Sequence, residues 1–152
     1  MKISEIINRV RDERGQALVE FALIFTMLVV LLFGIAEFGR GWFYANAVSN
    51  GARDGVRYAS MQPKPNFRDR VHDYTYRQVT SSVKPRYRDQ LYVNVSAFRT
   101  GGGVAPFDNL SAGDAVTVIV GYKMDIVTGN IIPYFSGSKI IVRKATMRFE
   151  GN

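Results

Sequence analysis

The feature that most constrains this chain is an apolar run over residues 17–36, in which Glu20 is the single full charge. At a rise of about 1.5 Å per residue, a helix of this length measures roughly 30 Å, the thickness of a bilayer's hydrocarbon core. A carboxylate inside such a helix costs of order a few kcal/mol unless it is protonated or partnered. The run therefore predicts a membrane-spanning helix, and Glu20 is the residue in it that needs an explanation.

A cleaved secretory signal is the alternative interpretation of this run. A secretory signal has a shorter apolar core, followed by small residues at its cleavage site. Residues 37–42, EFGRGW, make a poor site of that kind, so the sequence favours a retained anchor. The flanking basic residues are too evenly distributed for the positive-inside rule to fix the orientation. The short N-terminal part and the long C-terminal part favour a cytoplasmic N-terminus.

Three sequence segments in and around this apolar run resemble those of a known protein family. They are RGQALVEFALIF at residues 14–25, GIAEFGR at 34–40 and AVSNGARDGVRYAS at 47–60. A basic leader that ends in glycine, followed by an apolar helix with glutamate at its fifth position and an aromatic residue at its sixth, resembles a type IV pilin-like precursor. The fuller pattern is similar to the TadE-like minor pilins, or pseudopilins, of tight-adherence systems. The remainder of the chain agrees only in general plan.

The resemblance implies a set of site residues and partners. A prepilin peptidase is expected to cut between Gly15 and Gln16, which makes residues 1–15 a cytoplasmic leader. Glu20, followed by Phe21, is expected to support assembly by pairing with a free N-terminal amine, often that of a neighbouring subunit. The alternative is that Glu20 lies close enough to the interface to reach water. The implied partners are the major pilin, a sister pseudopilin, the peptidase and the membrane assembly platform. The implied location is the bacterial inner membrane, with a single pass and an extracytoplasmic C-terminal domain, while entry into the pilus stays open.

Residues 16–39 are thus expected to span the membrane, and residues 40–152 leave room for one modest outer domain. The chain has no cysteines, so this domain must be held by its own core. Beyond Arg40, apolar and small residues recur with a helical period to about Ser60, which predicts a helix with one buried face. The glycines on that face are either closely packed or places where the helix frays. Residues 61–65, MQPKP, end this helix because they contain two prolines. The expected buried residues are Tyr44, Ala47, Val48, Gly51, Ala52, Gly55, Tyr58 and Ala59.

Residues 67–83 predict a second, polar helix, with Asn66 as its N-cap. Its apolar stripe is expected to be Phe67, Val71, Tyr74 and Val79. From residue 91 onwards, apolar residues recur at every second position in three segments. This alternation predicts three antiparallel strands near residues 91–98, 116–124 and 140–149. The facing of the third strand is ambiguous, since both of its faces hold apolar residues. The expected fold class is α+β and pilin-like: a long N-terminal transmembrane helix continues into a helix packed on a small antiparallel sheet of about three strands.

The net charge of +7 lies mostly in the outer domain. From residue 53 to residue 88 there are nine Lys/Arg and three acids, interleaved with tyrosines. Such a surface could bind DNA or another polyanion, because basic groups contact phosphates and aromatic rings stack on bases. A membrane-anchored polyanion-binding module is therefore the alternative function, although no nucleic-acid motif accompanies it. A solvated basic face is the simpler interpretation. The candidate residues are Arg68, Arg70, Arg77, Arg86 and Arg88.

Catalytic chemistry has little support in the sequence. His72, the single histidine, precedes Asp73 in the predicted second helix. Adjacent helical residues do not face each other, so the two are not a ready catalytic pair. Nothing assembles a nucleophile with a base and an orienting group. We therefore expect neither an enzyme nor a cofactor nor a metal site.

Overall fold

The computed structural model describes residues 3–61, 66–86, 88–127 and 137–150. The elements in chain order are α1 (Ile3–Ser60), α2 (Phe67–Val83), β1 (Leu91–Phe98), β2 (Ala115–Asp125) and β3 (Ser138–Arg148). Two short 3-10 helices, Arg88–Gln90 and Phe107–Asn109, precede β1 and β2. This order of elements confirms the expected α+β class. Residues 62–65, which contain the two prolines expected to end the first helix, lie outside the described residues, as do residues 128–136 between the second and third strands.

Contacts along the chain define two compact units, Met1–Gly39 and Arg40–Asn152. Helix α1 contributes its first part to one unit and its last part to the other. Gly15, the expected cleavage position, does not interrupt this helix. One glycine costs a helix only about 1 kcal/mol relative to alanine, which is too little to end a helix with strong formers on both sides. A peptidase that needs extended backbone at Gly15 must therefore unwind a turn.

The sheet is a three-stranded antiparallel meander in the order β1-β2-β3. Both ladders are continuous, pairing Leu91 with Tyr122 at one end of β1 and Asp125 with Ser138 at one end of β3. Because side chains alternate between the faces of a strand, this register gives one face four buried residues from β1 and five from β2. They are Leu91, Val93, Val95, Ala97, Val116, Val118, Val120, Tyr122 and Met124.

The last turns of α1 and the whole of α2 cover this face of the sheet. The predicted face of α1 is confirmed, with Val48, Ala52 and Ala59 fully or almost fully buried, and Val56 joins it. Two glycines allow the close approach of the helices. A Cβ atom on Gly51 would overlap Val79 Cγ2, and one on Gly55 would overlap Thr75 Oγ1 and lie 3.3 Å from Val118 Cγ1. Of the two possibilities for these glycines, close packing is therefore the one observed.

Helix α2 has the predicted bounds, and three of the four residues of its predicted stripe are buried, with Thr75 buried in place of Tyr74. Its buried residues are Phe67, Val71, Thr75, Val79 and Val83, while Tyr74 is half-buried. Thr75 tolerates burial because its hydroxyl donates to the Val71 carbonyl at 2.7 Å. Asn66 stands at the N-cap position in the left-handed region, with φ 54°, and its side chain makes no capping hydrogen bond. Asparagine tolerates this conformation well, and here it contributes its backbone carbonyl, which accepts from the Arg70 N–H.

The continuous pairing of β3 with β2 shows which face of the third strand is turned towards the core. Of its core-side residues, Ile141 and Ala145 are half-buried, whereas its other side chains are exposed. The apolar residue that this part of the chain contributes to the core is Phe149, which follows the strand and is 1 % exposed. Its ring packs edge-on against Phe67, with ring centroids 5.9 Å apart. The third strand is thus an exposed edge, anchored to the core at its end.

Candidate functional site

The first part of α1 exposes its apolar surface all round. Residues 15–36 are exposed apart from Val29, which is half-buried, and Phe21 and Leu23 are each about 65 % exposed. The Phe21 and Phe25 rings stack along one side, with centroids 5.8 Å apart. In the described part of the chain, one helix is long and apolar enough to cross a membrane, and it lies within Gly15–Ser60. Exposed apolar surface on this scale requires lipid or another protein around it.

Glu20 has a partner within this segment. The Gln16 side-chain amide, Nε2, donates to Glu20 Oε1 at 3.1 Å, one turn along the helix. Both side chains are exposed. A carboxylate has about four lone-pair positions on its two oxygens, so this hydrogen bond leaves it able to accept from an ammonium group as well. The structure therefore places Gln16, a residue of the expected cleavage site, beside Glu20, a residue expected to support assembly.

A polar cluster joins the start of the second unit's helix to the end of β2. Arg40 donates from Nη2 to the Asp125 backbone carbonyl at 3.3 Å, and Gln90 Nε2 donates to Asp125 Oδ2 at 2.9 Å. The Arg86 backbone N–H donates to Gln90 Oε1 at 2.8 Å. Gln90 is 6 % exposed, and both ends of its amide are satisfied. This cluster fixes residue 40 of α1 against the sheet.

Two tyrosines extend the cluster into the core. The Tyr44 and Tyr122 rings lie 4.9 Å apart, and the Arg40 guanidinium lies 5.9 Å from the centre of the Tyr44 ring. Burial raises the pKa of Tyr122, and its interactions with Tyr44 and the Asp125 carboxylate raise it further, against a smaller opposing effect of Arg40. The fold thus favours the neutral phenol. Sequence reasoning missed this cluster, because residues 40, 90 and 125 meet only through the strand register.

The family comparison concerns the segment of α1 that contains the exposed apolar surface. Residues 15–57 match the model of a family described as TadE-like protein. The matched segment is TadE-like. This confirms the resemblance predicted from the strings at residues 14–60. Comparisons of the chain with curated proteins and with solved structures found no match.

The TadE-like segment contains Gly15, Gln16, Glu20 and Phe21, the residues expected for processing and assembly. It ends at residue 57, within the part of α1 that packs against α2 and β2. Helix α2 and the sheet lie outside it. The family is associated with Tad pili and is not an enzyme family. The match therefore concerns the helix and its packing face, while the outer domain must be interpreted from its own structure.

The predicted polyanion residues lie outside the TadE-like segment. Arg68, Arg70, Arg77 and Arg86 are exposed, and the side chain of Arg88 lies outside the described part. At about 100° per residue, Arg70 and Arg77 lie on one side of α2 and Arg68 on the opposite side. Tyr58 and Tyr74, two of the interleaved aromatics, stack on each other with centroids 4.1 Å apart. The arginines are thus accessible, but those of α2 do not lie on one side of the helix. Tyr58 and Tyr74 each turn one ring face towards the other, so that face is occupied and does not stack on a base.

His72 and Asp73 come closer than the sequence suggested. Their Nδ1 and Oδ1 atoms are 3.4 Å apart, with the side chains 44 % and 69 % exposed. The His72 ring also lies over Tyr76, with centroids 6.2 Å apart. A contact between two side chains at such exposed positions contributes little to stability, because water competes for both of them. We interpret this pair as part of the solvated face of α2.

Proposed function

We propose that this chain is a minor pilin, or pseudopilin, that supports the assembly or initiation of a tight-adherence pilus. It acts by association of its apolar helix with other pilin subunits after the leader is cleaved. The observation that carries the proposal is the TadE-like segment, in which Gly15 and Gln16 directly precede the exposed apolar part of α1, with Glu20 near its start.

The exposed helix supports insertion as the first step. Its apolar side chains find no burial within their own unit, so a bilayer is the environment that removes them from water. The proposed topology has residues 1–15 in the cytoplasm, residues 16–39 in the inner membrane and residues 40–152 outside it. A prepilin peptidase acting on the cytoplasmic side would then reach the bond between Gly15 and Gln16.

Processing changes the charge around Glu20. Cleavage after Gly15 creates an ammonium group on Gln16, whose side chain already hydrogen-bonds the Glu20 carboxylate. In a low-dielectric layer, an ammonium and a carboxylate relieve each other's desolvation far better than either group does alone. The amine of a neighbouring subunit can make the same pair. Glu20 thereby selects subunits that have been processed, with the major pilin, a sister pseudopilin and the assembly platform as partners.

Cleavage is tested by intact-mass measurement of the membrane protein co-expressed with its prepilin peptidase. We expect the loss of residues 1–15, and we expect Gly15→Leu to block it. Gly34→Leu is the matched control, because a Cβ at either glycine meets no atom within 4 Å. Retention of the leader in the parent protein, or normal cleavage of Gly15→Leu, would contradict the proposed processing.

Assembly is tested with Glu20→Gln. This variant should insert at least as well as the parent, because a neutral amide is less costly in hydrocarbon than a carboxylate. It should also be cleaved, yet it should co-purify poorly with a sister pseudopilin and lower the number of surface pili. Thr26→Val is a control at a nearby position, where the hydroxyl bonds only the Ala22 carbonyl of its own helix. Normal co-purification and piliation by processed Glu20→Gln would refute the ion-pair mechanism.

A further inference from the structure

In the part of the chain that the structure describes, the outer edge of β3 is not paired with a strand. In the order β1-β2-β3, β3 pairs with β2 along its full length, and no other described strand pairs with it. The opposite edge strand, β1, contacts α2 and bridges to Val104 at its end. The sheet therefore has one long edge, of 11 residues, that its own described elements leave open.

This edge exposes apolar side chains as well as backbone. Ile140 is 70 % exposed and Val142 is 50 % exposed. Both lie on the sheet face away from the helices, where Val142 continues a row formed by Gly121 and Tyr92. A Cβ on Gly121 would lie 3.5 Å from Tyr92 Cδ1 and 3.7 Å from Val142 Cγ2, so the row is tightly packed. A long, exposed edge that is apolar at one end is a template for another strand.

A backbone acceptor of β3 is accessible from the surface. The exposed Arg143 guanidinium donates from Nη1 to the carbonyl of Val142 at 3.0 Å. A carbonyl that a solvent-exposed side chain can reach can also be reached by an incoming N–H group. This hydrogen bond occupies the acceptor with a flexible side chain, which a partner strand can displace.

The charges of β3 indicate which charge a strand must carry to pair with its outer edge. Ser138–Arg148 contains four basic residues and no acid: Lys139, Arg143, Lys144 and Arg148. Two copies of β3 paired antiparallel in full register would place Arg143 opposite its own copy, and like charges directly opposite destabilise a pair of strands. The basic residues thus protect the edge from self-association, whereas an acidic strand gains a cross-strand charge pair at each of them.

We propose that β3 is a docking edge for an extended, acidic segment of a partner protein, which adds to the sheet as a fourth strand. Backbone hydrogen bonds provide the attachment, and side chains provide the selectivity. Beside Lys139 and Arg143, on the helix-facing side, the partner carries acids. Beside Ile140 and Val142, on the opposite side, it carries apolar residues that extend the Tyr92–Gly121–Val142 row. This role is independent of leader cleavage.

The test uses the full chain in nanodiscs of zwitterionic lipid and a blocked peptide of alternating glutamate and valine, as long as β3. We expect this peptide to bind and to slow amide hydrogen exchange within Ser138–Arg148. The same peptide with N-methylated valine amides keeps its charge. In the proposed register the valines lie opposite Ile140 and Val142, so their N–H groups are the ones that face β3, and the methylated peptide should bind far more weakly. An alternating lysine and valine peptide should not bind.

The matched variants reverse two charges in different places. Lys139→Glu combined with Arg143→Glu should weaken binding of the glutamate peptide by roughly tenfold and favour the lysine peptide. Lys84→Glu combined with Arg99→Glu changes the net charge equally outside β3 and should leave binding unchanged. All four residues are exposed, and thermal unfolding checks that each variant folds.

Three results would overturn the proposal, and all three need only the parent protein. One is equal binding of the N-methylated peptide, which would show charge attraction without strand pairing. Another is binding without protection of β3, which would place the peptide elsewhere. The third is equal protection of β3 by duplex DNA, which would make the strand a general polyanion surface.

Discussion

The close packing at Gly55 gives a prediction whose sign and size follow from the structure. Gly55→Ala adds one methyl group where α1, α2 and β2 meet. In an open helix this substitution stabilises by about 1 kcal/mol. Here the methyl would overlap Thr75 Oγ1 and crowd Val118 Cγ1, both on fully buried residues. Neither side chain can move into solvent.

The cost of this overlap exceeds the helix-propensity gain. Overpacking a core typically costs about 1–3 kcal/mol. Displacing Thr75 also strains its hydrogen bond to Val71, and loss of such a bond to a buried hydroxyl costs about 1–3 kcal/mol. The two costs together are about 2–6 kcal/mol. After subtraction of about 1 kcal/mol for helix propensity, we expect Gly55→Ala to lower the free energy of unfolding of the outer domain by roughly 1–5 kcal/mol. For a domain of this size, each kcal/mol corresponds to about 4 °C in Tm.

Gly41→Ala is the matched control in the same helix. A Cβ at Gly41 would lie 3.8 Å from Met124 Cε, an ordinary contact with a flexible side chain. This variant should therefore gain stability, by up to about 1 kcal/mol. The assay is denaturant or thermal unfolding of the detergent-solubilised chain, followed by near-UV circular dichroism. If Gly55→Ala is as stable as Gly41→Ala, the packing of α1 against α2 and β2 described above is wrong.

Two further predictions concern the outer domain. If the alternative function holds and Arg68, Arg70, Arg77, Arg86 and Arg88 form a polyanion site, binding of duplex DNA should fall steeply with added salt, and Arg77→Glu should weaken it more than Arg143→Glu. Absence of binding at low salt would leave a solvated basic face. The raised pKa of Tyr122 means that its contribution to stability is complete below the unfolded value of 10.0 and is lost as the pH rises through the folded value. The parent should lose more stability above pH 10.0 than Tyr122→Phe does, and equal alkaline losses in urea unfolding would contradict this.

The sequence determined the secondary structure of this protein because local periodicity carries that information. The apolar run of residues 17–36 can form only a helix that lipid or protein covers, and the later face of α1 repeats with a helical period. Strict alternation identified the strands. The motif of Gly15, Gln16 and Glu20 could also be recognised from the sequence, because its residues are close together along one helix. Its role in assembly stays a prediction.

Only the tertiary structure decided what depends on residues far apart in the chain. Gly51 and Gly55 were compatible with close packing or with fraying until Val79 and Thr75 were placed against them. The third strand became an exposed edge because β2 pairs with it on one side while α1 and α2 cover the other two strands. The cluster at Asp125 likewise exists because the strand register brings Gln90 to within 2.9 Å of it. Periodicity shows which face of an element is apolar, but the partner of that face is set by packing, which a local pattern does not encode.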